Sequence, residues 1–175
     1  TYPNTGYGSD YRLKSVVIPE TIAYKGVDYS VTSIRGNAFA GSTDLTILII
    51  PNSVTTIGDL AFYYCTSLTS ATISNNLTTI GEHAFWYCSK LKSVIIPSSV
   101  TSMKDNAFEK STRLYVKEGS AAYVYATTKE GQEYQLMNAP KWTKVSGTVE
   151  ENGISWPNLS GAKFSMTKEQ AIFLD

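Results

Sequence analysis

Histidine is almost missing from this 175-residue chain. His83 is the only one, and no cysteine or second histidine stands near it at ligand spacing. A histidine-centred metal or catalytic site is therefore not expected. The sequence also lacks a P-loop, a dinucleotide fingerprint and a nucleophile elbow, so neither an enzymatic activity nor a cofactor is expected. Charge of one sign is missing too. Fifteen basic residues balance fifteen acidic ones without a like-charged block, which removes the electrostatic footprint of a nucleic-acid binder and of a polybasic membrane anchor. Long hydrophobic runs are absent. The longest, such as Ile47–Ile50, are strand-sized, so membrane insertion is not expected of this segment. The chain opens on Thr1 rather than Met, as a processed or truncated chain does, so its lack of a signal peptide carries no address.

What is present is repetition. Leu45-Thr-Ile-Leu48-Ile-Ile50-Pro51, Val54-Thr-Thr-Ile57-Gly58-Asp59 and Ala61-Phe62-Tyr63-Tyr64-Cys65 return as Leu68 to Ile73, Leu77-Thr-Thr-Ile80-Gly81-Glu82 and Ala84-Phe85-Trp86-Tyr87-Cys88. A further copy runs from Leu91-Lys-Ser-Val94 through Val100-Thr-Ser-Met103 to Ala107-Phe108. The first begins at Leu13 and resumes at Val31-Thr-Ser-Ile34 and Ala38-Phe39. The matching leucines Leu45, Leu68 and Leu91 fix a period of 23 residues. A constant period of this size is the mark of a solenoid. With 42% apolar residues the chain can bury a core.

The columns predict side-chain directions. Leu45, Leu48, Ile50, Val54, Ile57, Phe62 and Cys65 point inward, and Phe39, Phe62, Phe85 and Phe108 form a continuous aromatic spine. A single coil cannot bury its own face, so neighbours must stack on it. Cys65 and Cys88 occupy one slot in successive coils and read as buried free thiols, because parallel side chains hold their Cβ atoms slightly too far apart for a disulfide. Between Phe108 and Leu114 three residues are missing from the pattern, which aligns Leu114 with Val94.

The consensus L-x-x-V-x-I-P-x-x-V-T-x-I-G-x-x-A-F-x-x-C resembles the repeat of the BspA-like leucine-rich-repeat family of surface proteins, over about residues 13–126. Ile22 to Val31, alternating around Lys25-Gly26, is a hairpin signal and is similar to openings seen in that family. Leu114 to Tyr123 resembles its terminal strand-and-helix cap. Departures are Ser74 for Pro, Arg35 and Lys104 for Gly, and Ser42 and Ser111 for Cys. The resemblance implies a non-enzymatic, secreted or cell-surface adhesion module whose partner is a protein or glycan of the host matrix or of other cells.

The expected fold is a right-handed, β-rich leucine-rich-repeat solenoid of about four 23-residue coils plus caps, with short strands and short helical turns. It occupies residues 1–126, with residues 1–12 as part of the N-terminal cap. Residues 127–175 form a β-rich tail or the start of a further domain. Strand character lies at Glu133–Met137, Trp142–Val149 and Ile154–Trp156, and a last helix starts near Lys168 after the Thr167/Gln170 capping box.

Two surfaces are candidates for binding. A concave stripe comprises Val17, Ile49, Thr72, Ile95 and Tyr115, with Ile47 in the column beside it. The bland reading is that branched side chains suit any strand. A convex aromatic patch comprises Tyr63, Tyr64, Trp86 and Tyr87, with packing on the tail as its rival. Asp59, Glu82 and Asp105 stack in one column. They read as caps of the turn carrying Ala-Phe, the sharper alternative being a calcium ladder. Asn76-Leu-Thr78 and Asn158-Leu-Ser160 are glycosylation sequons. A targeting or spacer module of a larger secreted enzyme, or an intracellular scaffold, stands as the alternative function.

Overall fold

The computed structural model describes residues 14–137, together with strands at 143–145, 148–151 and 154–156. Two compact units divide the chain, Thr1–Met137 and Asn138–Asp175. In the first unit the period becomes a stack. Chain order gives β1 (Ser15–Val17), a hairpin of β2 (Thr21–Tyr24) and β3 (Val27–Ser30), then β4 (Ser33–Ile34), β5 (Ile47–Ile49) and β6 (Thr56–Ile57). The next coils supply β7 (Ser70–Thr72), β8 (Thr79–Ile80), β9 (Ser93–Ile95), β10 (Ser102–Met103) and β11 (Arg113–Val116). The helix α1 (Ala121–Thr128) and β12 (Tyr134–Leu136) follow.

Strands in equivalent slots pair in parallel. β1, β5 and β7 form one sheet, β9, β11 and β12 a second, and β4, β6, β8 and β10 a third. Register follows the repeat: Leu48 sits opposite Val16 and Ala71, and Ile57 opposite Ile34 and Ile80. Leu114 pairs with Val94, as the three-residue gap requires. The strand at Tyr134–Leu136, within the 127–175 segment, pairs in parallel with β11 and extends the stack by one rung. That pairing is why the first unit runs on to Met137.

Inside the stack, all seven residues assigned inward in the Leu45 coil are buried. The phenylalanines stack face to face with centroids 5.2 Å (Phe39–Phe62), 5.0 Å (Phe62–Phe85) and 4.8 Å (Phe85–Phe108) apart. Threonine completes each coil in a way the periodicity did not disclose. The hydroxyls of Thr55, Thr78 and Thr101 donate to the carbonyls of Thr32, Thr55 and Thr78, one coil back, at 3.3, 3.0 and 3.3 Å. Cys65 and Cys88 are free. Their Sγ atoms donate to the carbonyls of Phe39 and Phe62, at 3.2 and 3.3 Å. The Cys88 thiol is held above its ordinary range by its hydrogen bond with Cys65 and by burial.

The Ala-Phe segment is not a helical turn. Linked three-residue turns build it, with Ala61, Tyr63 and Cys65 donating to the carbonyls of Gly58, Leu60 and Phe62. The alternate residues Leu60, Phe62 and Tyr64 donate instead to Glu82, Ala84 and Trp86 of the next coil. Splitting the amides this way forces left-handed backbone at Leu60 and Tyr64, and again at His83 and Tyr87. The helix α1 closes the array, its first turn capped by Ser120 Oγ, which accepts from the Tyr123 amide.

In the second unit, β13 (Thr143–Val145), β14 (Thr148–Glu151) and β15 (Ile154–Trp156) form an antiparallel meander. The expected cap at residues 1–12 and the helix near Lys168 lie outside the described residues.

Candidate functional site

Parallel register decides which outward residues share a line. Val17, Ile49 and Thr72 are joined rung to rung through β1, β5 and β7. Ile95 and Tyr115 are joined through β9 and β11. Ile47 faces Ser15 and Ser70 in the adjacent column. The alternation of β5 sends Leu48 inward and leaves Ile47 and Ile49 outside. The stripe is uneven, however. Val17 is 64% exposed and Ile49 39%, while Thr72, Ile95 and Tyr115 are half-buried. Between Thr72 and Ile95 the line passes from one sheet to another, at the coil that carries Ala71 and Ser74 in place of larger residues and proline.

The aromatic patch is more tightly assembled. Phe62 and Phe85 turn inward, so the residues after them face outward. The Tyr87 ring meets Tyr63 edge to face at 5.7 Å and Tyr64 at 5.9 Å, while Tyr63 and Tyr64 tilt together at 6.2 Å. Trp86 packs on Tyr87 at 6.1 Å and on the His83 ring at 5.7 Å. Tyr63 and Trp86 are half-buried, whereas Tyr64 and Tyr87 are 49% and 47% exposed. Both exposed tyrosines have positive φ, 59° and 60°. The first coil places Gly41, φ 75°, in their slot. A left-handed conformation costs a side-chain-bearing residue about 1–2 kcal/mol, and half-exposed rings return little of it through burial. The Tyr87 amide is met by Glu109 Oε1 at 2.8 Å. His83, read from the sequence as lying in a turn, also takes positive φ there and reaches Glu82 and Asn106 at 3.5 and 3.4 Å.

The carboxylate column separates into individual contacts. Asp59 Oδ1 accepts the Glu82 amide at 2.8 Å, so it caps the coil above and not its own turn, a correction that follows from the cross-coil hydrogen bonding of these turns. Asp105 pairs with Lys129 at 2.6 Å, which holds its carboxyl below the usual range through the hydrogen bond and the ammonium charge. Among the described residues no group of three or more His, Cys, Asp or Glu is placed to hold a metal ion, and no helix is long and apolar enough to cross a membrane. The Asn76 side-chain amide donates to the Asn52 carbonyl at 3.0 Å. Asn158 lies outside the described residues.

The hairpin was read from the sequence as a structural insert only. Its register, Ile22 opposite Tyr29 and Tyr24 opposite Val27, collects all four on one face, and all four are exposed. The alternation around Lys25-Gly26 was the signal that could have found this face.

The BspA type leucine-rich-repeat region matches residues 7–118 in six copies. Among solved structures, a leucine-rich repeat protein from Bacteroides capillosus ATCC 29799 is 35% identical over 59% of this chain and 78% of its own, with a TM-score of 0.51. One from Bacteroides ovatus ATCC 8483 is 29% identical over 61% of this chain, with a TM-score of 0.49, and only 34% of that protein's length is spanned. A leucine rich cell surface protein from Faecalibacterium prausnitzii A2-165 is 20% identical over 79% of this chain and 51% of its own, with a TM-score of 0.43. No protein of curated function matches the chain significantly.

Proposed function

The chain belongs to the BspA-type leucine-rich-repeat family, and on that premise we propose that it is a non-enzymatic adhesion module, acting outside the cell, that captures a protein partner through the cluster of Tyr63, Tyr64, Trp86 and Tyr87. One observation carries the choice of face. Tyr64 and Tyr87 hold a left-handed backbone where the first coil uses glycine, yet their rings stay half in solvent. Strain that the core does not repay is a feature of binding sites. Tyrosine and tryptophan, large and rigid, are the anchors that protein interfaces favour. Host matrix proteins and the surfaces of other cells are the partner classes in view; a glycan is the other ligand class.

The exposed end of the strand stripe, Val17, Ile47 and Ile49, is a second reading, favoured by its uninterrupted rung-to-rung register across β1 and β5. Thr72, Ile95 and Tyr115 would extend it. Capture of purified matrix proteins and of matrix glycans by the immobilised chain tests both faces. Tyr64→Asn with Tyr87→Asn should abolish binding of a matrix protein while Ile49→Ala with Ile95→Ala leaves it intact. The opposite pattern moves the site to the strand stripe. Capture of glycans alone overturns the protein assignment, and capture of neither class overturns adhesion itself, leaving a spacer or targeting role in a larger protein.

A further inference from the structure

A two-stranded ribbon alone is marginal in water and needs a partner for any apolar face it carries. The hairpin of β2 and β3 carries such a face. It is closed by Lys25-Gly26, both at positive φ (51° and 76°), the two-residue turn that matches strand twist. At its base, the Val31 amide donates to the Glu20 carbonyl at 2.8 Å. Side chains alternate, so Thr21, Ala23, Asp28 and Ser30 lie on one side, and Ile22, Tyr24, Val27 and Tyr29 on the other. The second set is 52%, 58%, 51% and 50% exposed. It holds no charged residue, which leaves nothing to select an oppositely charged partner.

The order of these residues is informative. Ile22 stands opposite Tyr29 and Tyr24 opposite Val27, so the two tyrosines occupy one diagonal of a square and the two aliphatic residues the other. A second identical face laid over this one by a two-fold axis along the strands sets Ile22 over Tyr29 and Tyr24 over Val27. An axis across the strands sets Ile22 over Tyr24 and Val27 over Tyr29. Either operation places every ring on an aliphatic residue of the other copy and no ring on a ring. The face is self-complementary in size as well as in polarity, the requirement for an isologous contact.

We infer that the β2–β3 hairpin is a self-association element, through which two copies of this chain pack hairpin face on hairpin face. Half-exposed side chains of this kind present on the order of 100 Å² each, so each copy contributes on the order of 400 Å². A stable interface takes about 800 Å² per partner. The contact is thus weak, concentration-dependent and closed at two copies, suited to molecules already crowded together, where effective concentration does the work.

Sedimentation velocity of the full chain from micromolar to millimolar concentration tests this. A monomer–dimer equilibrium is expected, weakened roughly tenfold or more by Tyr24→Ser with Tyr29→Ser and unmoved by Asp28→Asn on the opposite side. Ile22→Tyr separates a fitted contact from mere stickiness. It adds apolar surface and keeps strand propensity, but sets ring on ring under either axis, so it should weaken the dimer. Amide NMR shifts of β2 and β3 verify that each variant keeps its hairpin. A chain monomeric throughout, growth beyond two copies, indifference to the tyrosine changes, or a dimer strengthened by Ile22→Tyr would each overturn the inference.

Discussion

Tyr64 and Tyr87, one period apart in the chain, meet edge to face with ring centroids 5.9 Å apart, each on a left-handed backbone. Asparagine adopts that backbone more readily than tyrosine does. Replacing either residue by Asn should leave the melting temperature unchanged or raise it by a few degrees, because the strain of about 1–2 kcal/mol is relieved. A loss of stability above about 1 kcal/mol would make these rings part of the fold and remove the argument for a binding role.

Phe85→Ala should destabilise the first unit by about 3–5 kcal/mol, since its ring is fully buried between Phe62 and Phe108. Phe39→Ala should cost less, because Phe39 is half-buried and stacks on Phe62 at the start of the spine. Chemical denaturation of the two variants gives the comparison, and an equal loss at both would argue against a graded stack.

Gly81→Ala is expected to disrupt coil stacking. Its Cβ would fall 2.5 Å from the Asp59 amide nitrogen and 2.5 Å from the Gly58 carbonyl carbon, backbone atoms that cannot swing aside. Overpacking of this kind costs about 1–3 kcal/mol or more. Unchanged denaturation midpoints in Gly81→Ala would mean that the coils have slack.

Cys65 and Cys88 should resist iodoacetamide in the folded chain and react on unfolding. Both are buried, and the Cys88 thiol is pushed up by its neighbour and by burial, so the reactive thiolate is scarce. Mass spectrometry before and after denaturant reads this directly; rapid labelling of the native chain would contradict it.

The Asp105–Lys129 pair predicts a pH dependence. Asp105 has a lowered pKa, so its contribution is complete above the ordinary carboxylate range and is lost as pH falls through the lowered value. Lys129 is raised, so its contribution is lost only as pH rises through that value in strong alkali. Both groups are exposed to solvent, and the effect is small and screened by salt. Thermal melts of Asp105→Asn should show a flatter acid limb than the parent at low salt and the same limb at high salt.

The sequence by itself determined the period, the inward columns and the hairpin, because a stack of equivalent coils repeats the same burial at the same position in each copy. It also set Leu114 opposite Val94 and marked Tyr64 and Trp86 as outward neighbours of the spine. Only the tertiary structure decided how adjacent coils share hydrogen bonds. Amides of Leu60, Phe62 and Tyr64 reach the next coil, which turns an expected helical turn into left-handed backbone and moves the Asp59 cap across the rung. It alone decided that the hairpin's apolar face stays exposed. Periodicity records which residues are buried, whereas strain and exposure depend on partners far away in the chain.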